Sequence, residues 1–273
     1  MNREKRSLEF YVLAIFFTIF VLFLYGPLSA VIILSFQGPD GGLTFPLNGV
    51  SLHWFANLFE KQAVGDFGAS FQRSLILGLM VMIVTVVVSL LAGLAFRHRF
   101  RGSTFLFYAT VASLVVPSII ISLGIGVVFQ QGGIAPAWYS SAFGAHLTWT
   151  LPFGVLIMFA VFNRFSPAYE EAARDLGASS WQTFRHVLLP MIAPSLIGVG
   201  LFGFTLSYDE FARTLMTSGT YNTLPLEIYG MTTNVTTPVL YALGTVTTLF
   251  SFTIILLALA VMTMLGRRQA KKS

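Results

Sequence analysis

The chain has 273 residues, 55% hydrophobic, 15% aromatic and only 10% charged, with a net charge of +5 and no cysteine. A water-soluble globule carries roughly 25% charged residues to keep its surface wet, so most of this surface is not in water. Disordered chains are rich in charge and poor in apolar residues, and small disulfide scaffolds need cysteine; both classes are excluded.

A helix crosses the bilayer's hydrocarbon core with about 20 uncharged apolar residues. Six stretches qualify, 10–36, 74–96, 104–131, 145–163, 191–208 and 239–265, and none contains Asp, Glu, Lys or Arg. Barrel strands would be about 10 residues long and polar on one side. The expected fold class is therefore all-α: a polytopic membrane protein with six transmembrane helices, one domain over 1–273. The first stretch follows the basic segment Asn2 to Arg6. It is much longer than the apolar core of a secretory signal, about 7 to 15 residues, and is expected to remain as a span.

Between the first two spans, Gly38, Pro39, Asp40, Gly41 and Gly42 require a turn or coil. Leu52, Phe55, Leu58 and Phe59 follow at helical spacing with Trp54 beside them, which predicts a short interfacial helix over Ser51 to Lys61. The loop from Asp209 to Pro238 is rich in Thr, Asn and Gly and suits either a docking surface or a plain connector.

Basic residues mark the cytoplasmic side of short loops. With both termini on one side, that side holds Arg3, Lys5, Arg6, Arg97, Arg99, Arg101, Arg164, Arg174, Arg185, Arg267, Arg268, Lys271 and Lys272, 13 of the 16 Lys and Arg. The other keeps Lys61, Arg73 and Arg213. Both termini are predicted cytoplasmic, and the positive charge is a topology signal that requires no nucleic acid. The basic set after Leu265 suits an anchor, with attraction to anionic membrane lipid as a second use.

The long cytoplasmic loop, 164–190, reads as two short helices and a break. Ser166 suits a cap with Pro167 at the first helical position. Glu170 and Glu171 fall near the positive end of the helix dipole, and Glu170 with Arg174 forms an i,i+4 pair ahead of Asp175. Gly177 ends this helix, being the residue that takes a left-handed terminus at least cost. Ser179 or Ser180 starts a second helix running to about Leu189, and Pro190 marks where the fifth span begins. The resulting elbow presents the small side chains of Ala172 and Ala173. An ordinary helical hairpin would carry the same caps.

Glu171, Ala172, Ala173, three residues, Gly177, nine residues, Val187, one residue, Leu189 and Pro190 resemble the EAA loop of ABC importer permeases, with Val187 where the family usually has Ile. The resemblance implies a type I ABC importer permease fold in the bacterial cytoplasmic (inner) membrane. It also implies that this loop is the coupling helix seated in a groove of a cytoplasmic ATPase subunit. Glu171 would make polar contacts there, Ala172 and Ala173 would pack and Gly177 would permit the turn, with Glu170, Arg174, Asp175 and Pro190 in the same implied ATPase-coupling set. The implied assembly has a second homologous permease, two ABC ATPase subunits carrying ATP and Mg, and an extracytoplasmic solute-binding protein. Trp54 to Leu75, Phe204 to Gly219 and Leu224 to Met231 are further similar to the second permease subunit of spermidine and putrescine importers. Relatives in that group carry other amines, amine-containing acids and organophosphonates.

Asp209 lies 19 residues beyond Pro190, roughly 28 Å along a continuous helix. That places Asp209 and Glu210 near the outer boundary of the hydrocarbon. Two carboxylates there would attract a polyamine, with Tyr208 offering a cation–π face; equally, they would simply cap the span. Arg73 stands where the family's usual opening of this span has Asn. It can pair with Asp66 or snorkel to the interface; facing the path, it would favour a zwitterionic or phosphonate substrate, and Arg213 raises the same question. Pro27, Pro117, Pro152 and Pro194 suit kinks, and Gly124, Gly126, Gly198, Gly200 and Gly203 suit close helix packing. His53, His98, His146 and His186 have no ligand spacing, so no metal site is expected.

Three function classes compete. A secondary transporter needs ionisable residues inside the membrane, and the six stretches have none. An intramembrane hydrolase would show Gly-x-Ser-x-Gly or His-Glu-x-x-His, and neither occurs. No phosphate-binding Gly-x-x-x-x-Gly-Lys loop occurs either. No catalytic residue and no cofactor is expected in this chain, and the energy source must be another subunit.

Overall fold

The structure, a computed structural model, describes residues 7–58, 65–98, 100–234 and 237–270. The basic segment 2–6, Phe59 to Lys61 of the expected interfacial helix, Arg99, Lys271 and Lys272 lie outside the described residues, as do the side chains of Arg267 and Arg268. The elements in chain order are α1 (Leu8–Leu34), α2 (His53–Asn57), α3 (Phe67–Phe96), α4 (Ser103–Ala112), α5 (Ser118–Gln131), α6 (Phe143–Asn163), α7 (Ala168–Asp175), α8 (Ser180–Thr183), α9 (Leu189–Tyr208), α10 (Leu224–Asn234) and α11 (Val239–Ala270). A π-helical turn leads into α6 (Trp138–Ala142) and another into α9 (Phe184–Leu188). Among the described residues, five runs are long and apolar enough to cross a membrane: Leu8–Leu34, Phe67–Phe96, Trp138–Asn163, Ser180–Tyr208 and Val239–Val261.

The third expected span, 104–131, is divided into α4 and α5. Pro117 disfavours helical dihedrals in Val116 before it, and Pro117 itself takes ψ 132°. Backbone freed at membrane depth must be satisfied inside the protein. Here Ser113 Oγ donates to the Thr110 and Thr148 carbonyls at 2.7 and 3.0 Å, and the Ile120 and Ile121 N–H groups close on the Pro117 carbonyl.

The second span begins earlier than expected. Asp66 caps α3 by accepting the Ala69 N–H at 3.0 Å, so the helix starts at Phe67 and Arg73 lies inside it. A charge near the end of a span need not end the helix.

Contacts group the chain into two units, Met1–Gly65 with Gly230–Phe250, and Asp66–Tyr229 with Ser251–Ser273. In the first, Gln37 is fully buried and organises the turn after α1. Its Nε2 donates to the Gly42 carbonyl at 3.1 Å and its Oε1 accepts the Asn48 N–H at 2.7 Å. Phe36 packs on Phe55 of α2 at 5.3 Å, and Tyr241 donates to the Leu43 carbonyl at 2.7 Å.

In the second unit α3 packs on α6 and α9. Its buried face is Phe67, Ser70, Ser74, Leu77, Gly78, Val81, Thr85, Ser89 and Gly93, a stripe at helical spacing made largely of small and hydroxyl side chains. Leu79, Ile83, Val87 and Leu91 point outward and are exposed. This inverts the soluble pattern, because lipid rather than water is outside and small residues let backbones approach. Thr85 donates to Thr150 Oγ1 at 3.0 Å. A Cβ on Gly154 would fall 2.1 Å from Ser89 Oγ, and one on Gly93 2.8 Å from the Phe162 ring. Gly200 and Gly203 also face α3 side chains closely, whereas Gly124 and Gly198, expected to do likewise, have nothing within 4 Å. Met158, Phe162, Leu188, Ile192, Leu196 and Val199 form the apolar core where α6 meets α9.

Candidate functional site

The 164–190 loop folds as an elbow, with different local chemistry at its start. Ser166 was the expected cap of α7, but no side chain caps it. Pro167 already has helical dihedrals, φ −59° and ψ −23°, and its carbonyl accepts the Glu170 and Glu171 N–H groups at 2.9 and 3.1 Å. The other end follows expectation. Gly177 takes φ +82°, its N–H reaches the Arg174 carbonyl at 2.8 Å, and the Ala178 N–H reaches that of Ala173 at 3.0 Å, a Schellman closure. Ser179 then starts α8 with a capping box: its Oγ accepts the Gln182 N–H at 3.3 Å and its N–H donates to Gln182 Oε1 at 2.8 Å.

Pro190 does not mark a boundary. One helical run extends from Ser180 to Tyr208. Pro190 lacks an N–H and its ring crowds the carbonyl four residues back, and the chain widens into the π turn Phe184–Leu188 just before it. α7 is thus joined through a short elbow to the helix that packs on α3.

Glu170 pairs with Arg97 at 2.6 Å rather than with Arg174. A solvent-exposed i,i+4 pair contributes only about 0.2–0.5 kcal/mol. The Arg97 guanidinium is held over the Phe162 and Phe165 rings at 5.4 and 5.6 Å, where a partner meets less competition from water. Glu171, Ala172, Arg174, Asp175 and Gly177 are exposed and Ala173 is half-buried. Around them stand Tyr169, Leu176 and Trp181 at 52%, 89% and 65% exposure. The sequence reading missed these three; its available signal was large apolar residues flanking a helix of mostly polar composition.

At the far end of α9 the expected path residues diverge. Tyr208 is buried, stacked on Phe204 at 5.8 Å and edge-on to Phe71 at 6.4 Å, so it does not present the open face expected for a cation. Asp209 ends the helix with an exposed side chain, and partial desolvation raises its carboxyl above the ordinary value. Glu210 is buried at 7% exposure. Its Oε1 accepts the Arg213 N–H at 2.8 Å and its Oε2 lies 3.5 Å from Arg213 Nη1.

Arg213 is itself 3% exposed. Its Nε donates to Thr148 Oγ1 at 3.2 Å, its Nη1 to Ser118 Oγ at 2.7 Å, and its guanidinium lies 4.5 Å from the Trp149 ring. Burial lowers its pKa and Glu210 opposes that shift. The neighbouring backbone is anchored too: Ser122 Oγ donates to the Arg213 carbonyl and accepts the Met216 N–H, Ser141 Oγ donates to the Thr217 carbonyl, and His146 bridges Ser207 and Thr214 at 2.7 and 2.9 Å. Gly219, at φ +70°, passes so close to Pro136 that a Cβ would fall 2.0 Å from its carbonyl oxygen. Glu210, Arg213, Thr214, Thr217 and Ser218 of the 209–238 loop are therefore packed into the interior, while Asp209, Met216 and Tyr221 stay exposed.

Arg73 does not pair with Asp66. Its Nε donates to the Asn222 carbonyl at 2.6 Å and its guanidinium lies 5.7 Å from the Tyr221 ring. Asn222 Nδ2 donates to Glu227 Oε2, and Glu227 Oε1 accepts the Asp66 N–H, both at 2.8 Å.

An elbow of this form between membrane helices can be compared with known proteins. The model of the family described as binding-protein-dependent transport system inner membrane component matches residues 85–271. The chain belongs to this family. The permease is 29% identical over 243 residues to the spermidine/putrescine transport system permease protein PotC of Escherichia coli (strain K12), covering 88% of this chain and 90% of that one. It is 28% identical over 251 residues to the corresponding PotC of Haemophilus influenzae, covering 92% and 96%. Among solved structures, the bacterial alginate ABC transporter in complex with an alginate pentasaccharide-bound periplasmic protein aligns with a TM-score of 0.65 at 16% identity, covering 97% of this chain and 95% of that one. That likeness establishes the fold. The permease is a multi-pass inner membrane subunit of an ABC importer and not an enzyme, which sets aside the self-sufficient secondary transporter.

Proposed function

We propose that this permease forms half of a translocation path for a polyamine such as spermidine or putrescine, with both termini cytoplasmic. Separate ATPase subunits, which hold ATP and Mg, drive it through α7. The observation that carries the coupling role is the exposed surface of Tyr169, Leu176 and Trp181 around Glu171 and Ala172. Large apolar side chains left open beside a polar helix mark a protein partner site, and the small Ala172 lets that partner come close.

The polyamine assignment is supported by the names of the PotC relatives and by Asp209, an exposed carboxylate at the end of α9. Glu210 contributes no free charge to this role, being paired with Arg213. Arg73 is engaged by Asn222 and Tyr221, which weighs against an anionic substrate. A second homologous permease completes the path and an extracytoplasmic binding protein delivers the substrate, as a periplasmic protein accompanies the alginate transporter.

The test is reconstitution of the complete complex and measurement of ATPase stimulation by the binding protein loaded with spermidine, putrescine or an aminophosphonate. Stimulation by either polyamine is expected. A response to the aminophosphonate alone would reject the substrate, and failure to copurify with any ATPase subunit would reject the coupling role.

A further inference from the structure

Arg97 follows the last residue of α3, and its guanidinium meets two other elements. Its Nη1 donates to Glu170 Oε1 of α7 at 2.6 Å, the two side chains being 19% and 16% exposed. It lies over Phe162 at the end of α6 and over Phe165 in the connector to α7. Phe162 in turn occupies the space a side chain at Gly93 of α3 would need, so the ends of α3 and α6 are held tightly together. Adjacent residues on a helix point about 100° apart. Glu170 accordingly turns to Arg97 while Glu171 is exposed.

We propose that Arg97 and Glu170 form an internal strut: a displacement of α7 reaches α3 and α6 directly through this bond, in addition to the peptide connectors 164–167 and 176–179. Arg97 is then a positioning residue for coupling, and Glu170 belongs to the permease's own mechanics, leaving Glu171 to the partner. Helix movements of about 1–2 Å are typical of such transmission, and a side chain that slackens by that much would absorb them. The proposal rests on α7 being the element that an ATPase subunit moves.

The chain has no cysteine, so spin labels can be attached at Leu79→Cys, exposed on α3, and Ala168→Cys, exposed on α7. Leu79 lies roughly 27 Å along the helix from Arg97, within range of a pulsed dipolar distance measurement. R97Q and E170Q are expected to broaden the distance distribution, whereas R97K, which keeps a charged donor group, stays close to wild type. An unchanged distribution in either Gln variant, or a Lys variant as broad as R97Q, overturns the strut. In the assembled importer E170Q should raise the ATP hydrolysed per substrate delivered by about fivefold or more while ATPase copurification persists. Loss of copurification would make Glu170 a docking contact, and unchanged stoichiometry would remove its part in transmission; either overturns the proposal. Should the wild-type chain bind no ATPase, the coupling reading falls while the label distances still judge the strut.

Discussion

The Glu210 carboxylate lies 3.5 Å from the Arg213 guanidinium, and both side chains are almost completely buried. Asp209, next along the chain, is exposed. Removing one partner of a buried ion pair costs about 3–5 kcal/mol, because the other charge is left uncompensated. Glu210→Gln should therefore lower the thermal stability of the purified permease sharply, and Asp209→Asn should leave it nearly unchanged. Melting curves in detergent separate the two; equal loss in both variants would contradict the division of roles.

Asp209→Asn should instead reduce polyamine uptake, by about tenfold if one carboxylate contributes about 1.4 kcal/mol to cation attraction. Desolvation raises the Asp209 carboxyl, so acidification protonates it at a higher pH than an ordinary aspartate. The wild-type to Asp209→Asn uptake ratio is expected to fall toward one as pH drops through that raised value and to be fully present above it. A ratio independent of pH would remove Asp209 from the path.

Leu176→Glu and Trp181→Glu should abolish copurification with an ATPase subunit while leaving the melting temperature of the isolated permease close to wild type. Both side chains are largely exposed, so the fold does not depend on covering them. Retained copurification in both variants would place the partner surface elsewhere.

Gly177 has open space around it but a left-handed backbone, φ +82°. The penalty for a side chain is therefore conformational, roughly 1–2 kcal/mol for a residue other than Gly, Asn or Asp. Gly177→Val is expected to impair coupling measured as ATP hydrolysed per substrate, and Gly177→Asn to preserve most of it. Identical behaviour of the two would show that the closure of α7 is not what matters.

The elbow was readable in the sequence because its determinants are local: Gly177 closes α7, and Ser179 meets Gln182 three residues on. Uncharged apolar length located five of the six expected spans in the same way, the third being divided at Pro117. Where distant residues decide, the reading failed. Glu170 was matched with Arg174, four residues away, although its partner is 73 residues back at Arg97. Arg213 looked like a loop charge because its partners Thr148 and Ser118 lie 65 and 95 residues earlier. Arg73 was used as a boundary, yet Asp66 sets the start of α3. Pattern reveals which residues can form a helix, whereas burial of a charge depends on what folds around it.

Chain order adds a consequence for the divided third span. Ser118, Thr148 and Trp149, the side chains outside its own loop that receive Arg213, all precede it in the sequence. Synthesis runs from the N-terminus, so all three of these partners are made before Arg213. A guanidinium buried to 3% exposure needs its partners within reach, and the break at Pro117 supplies Ser118 as one that is made before the charge it receives.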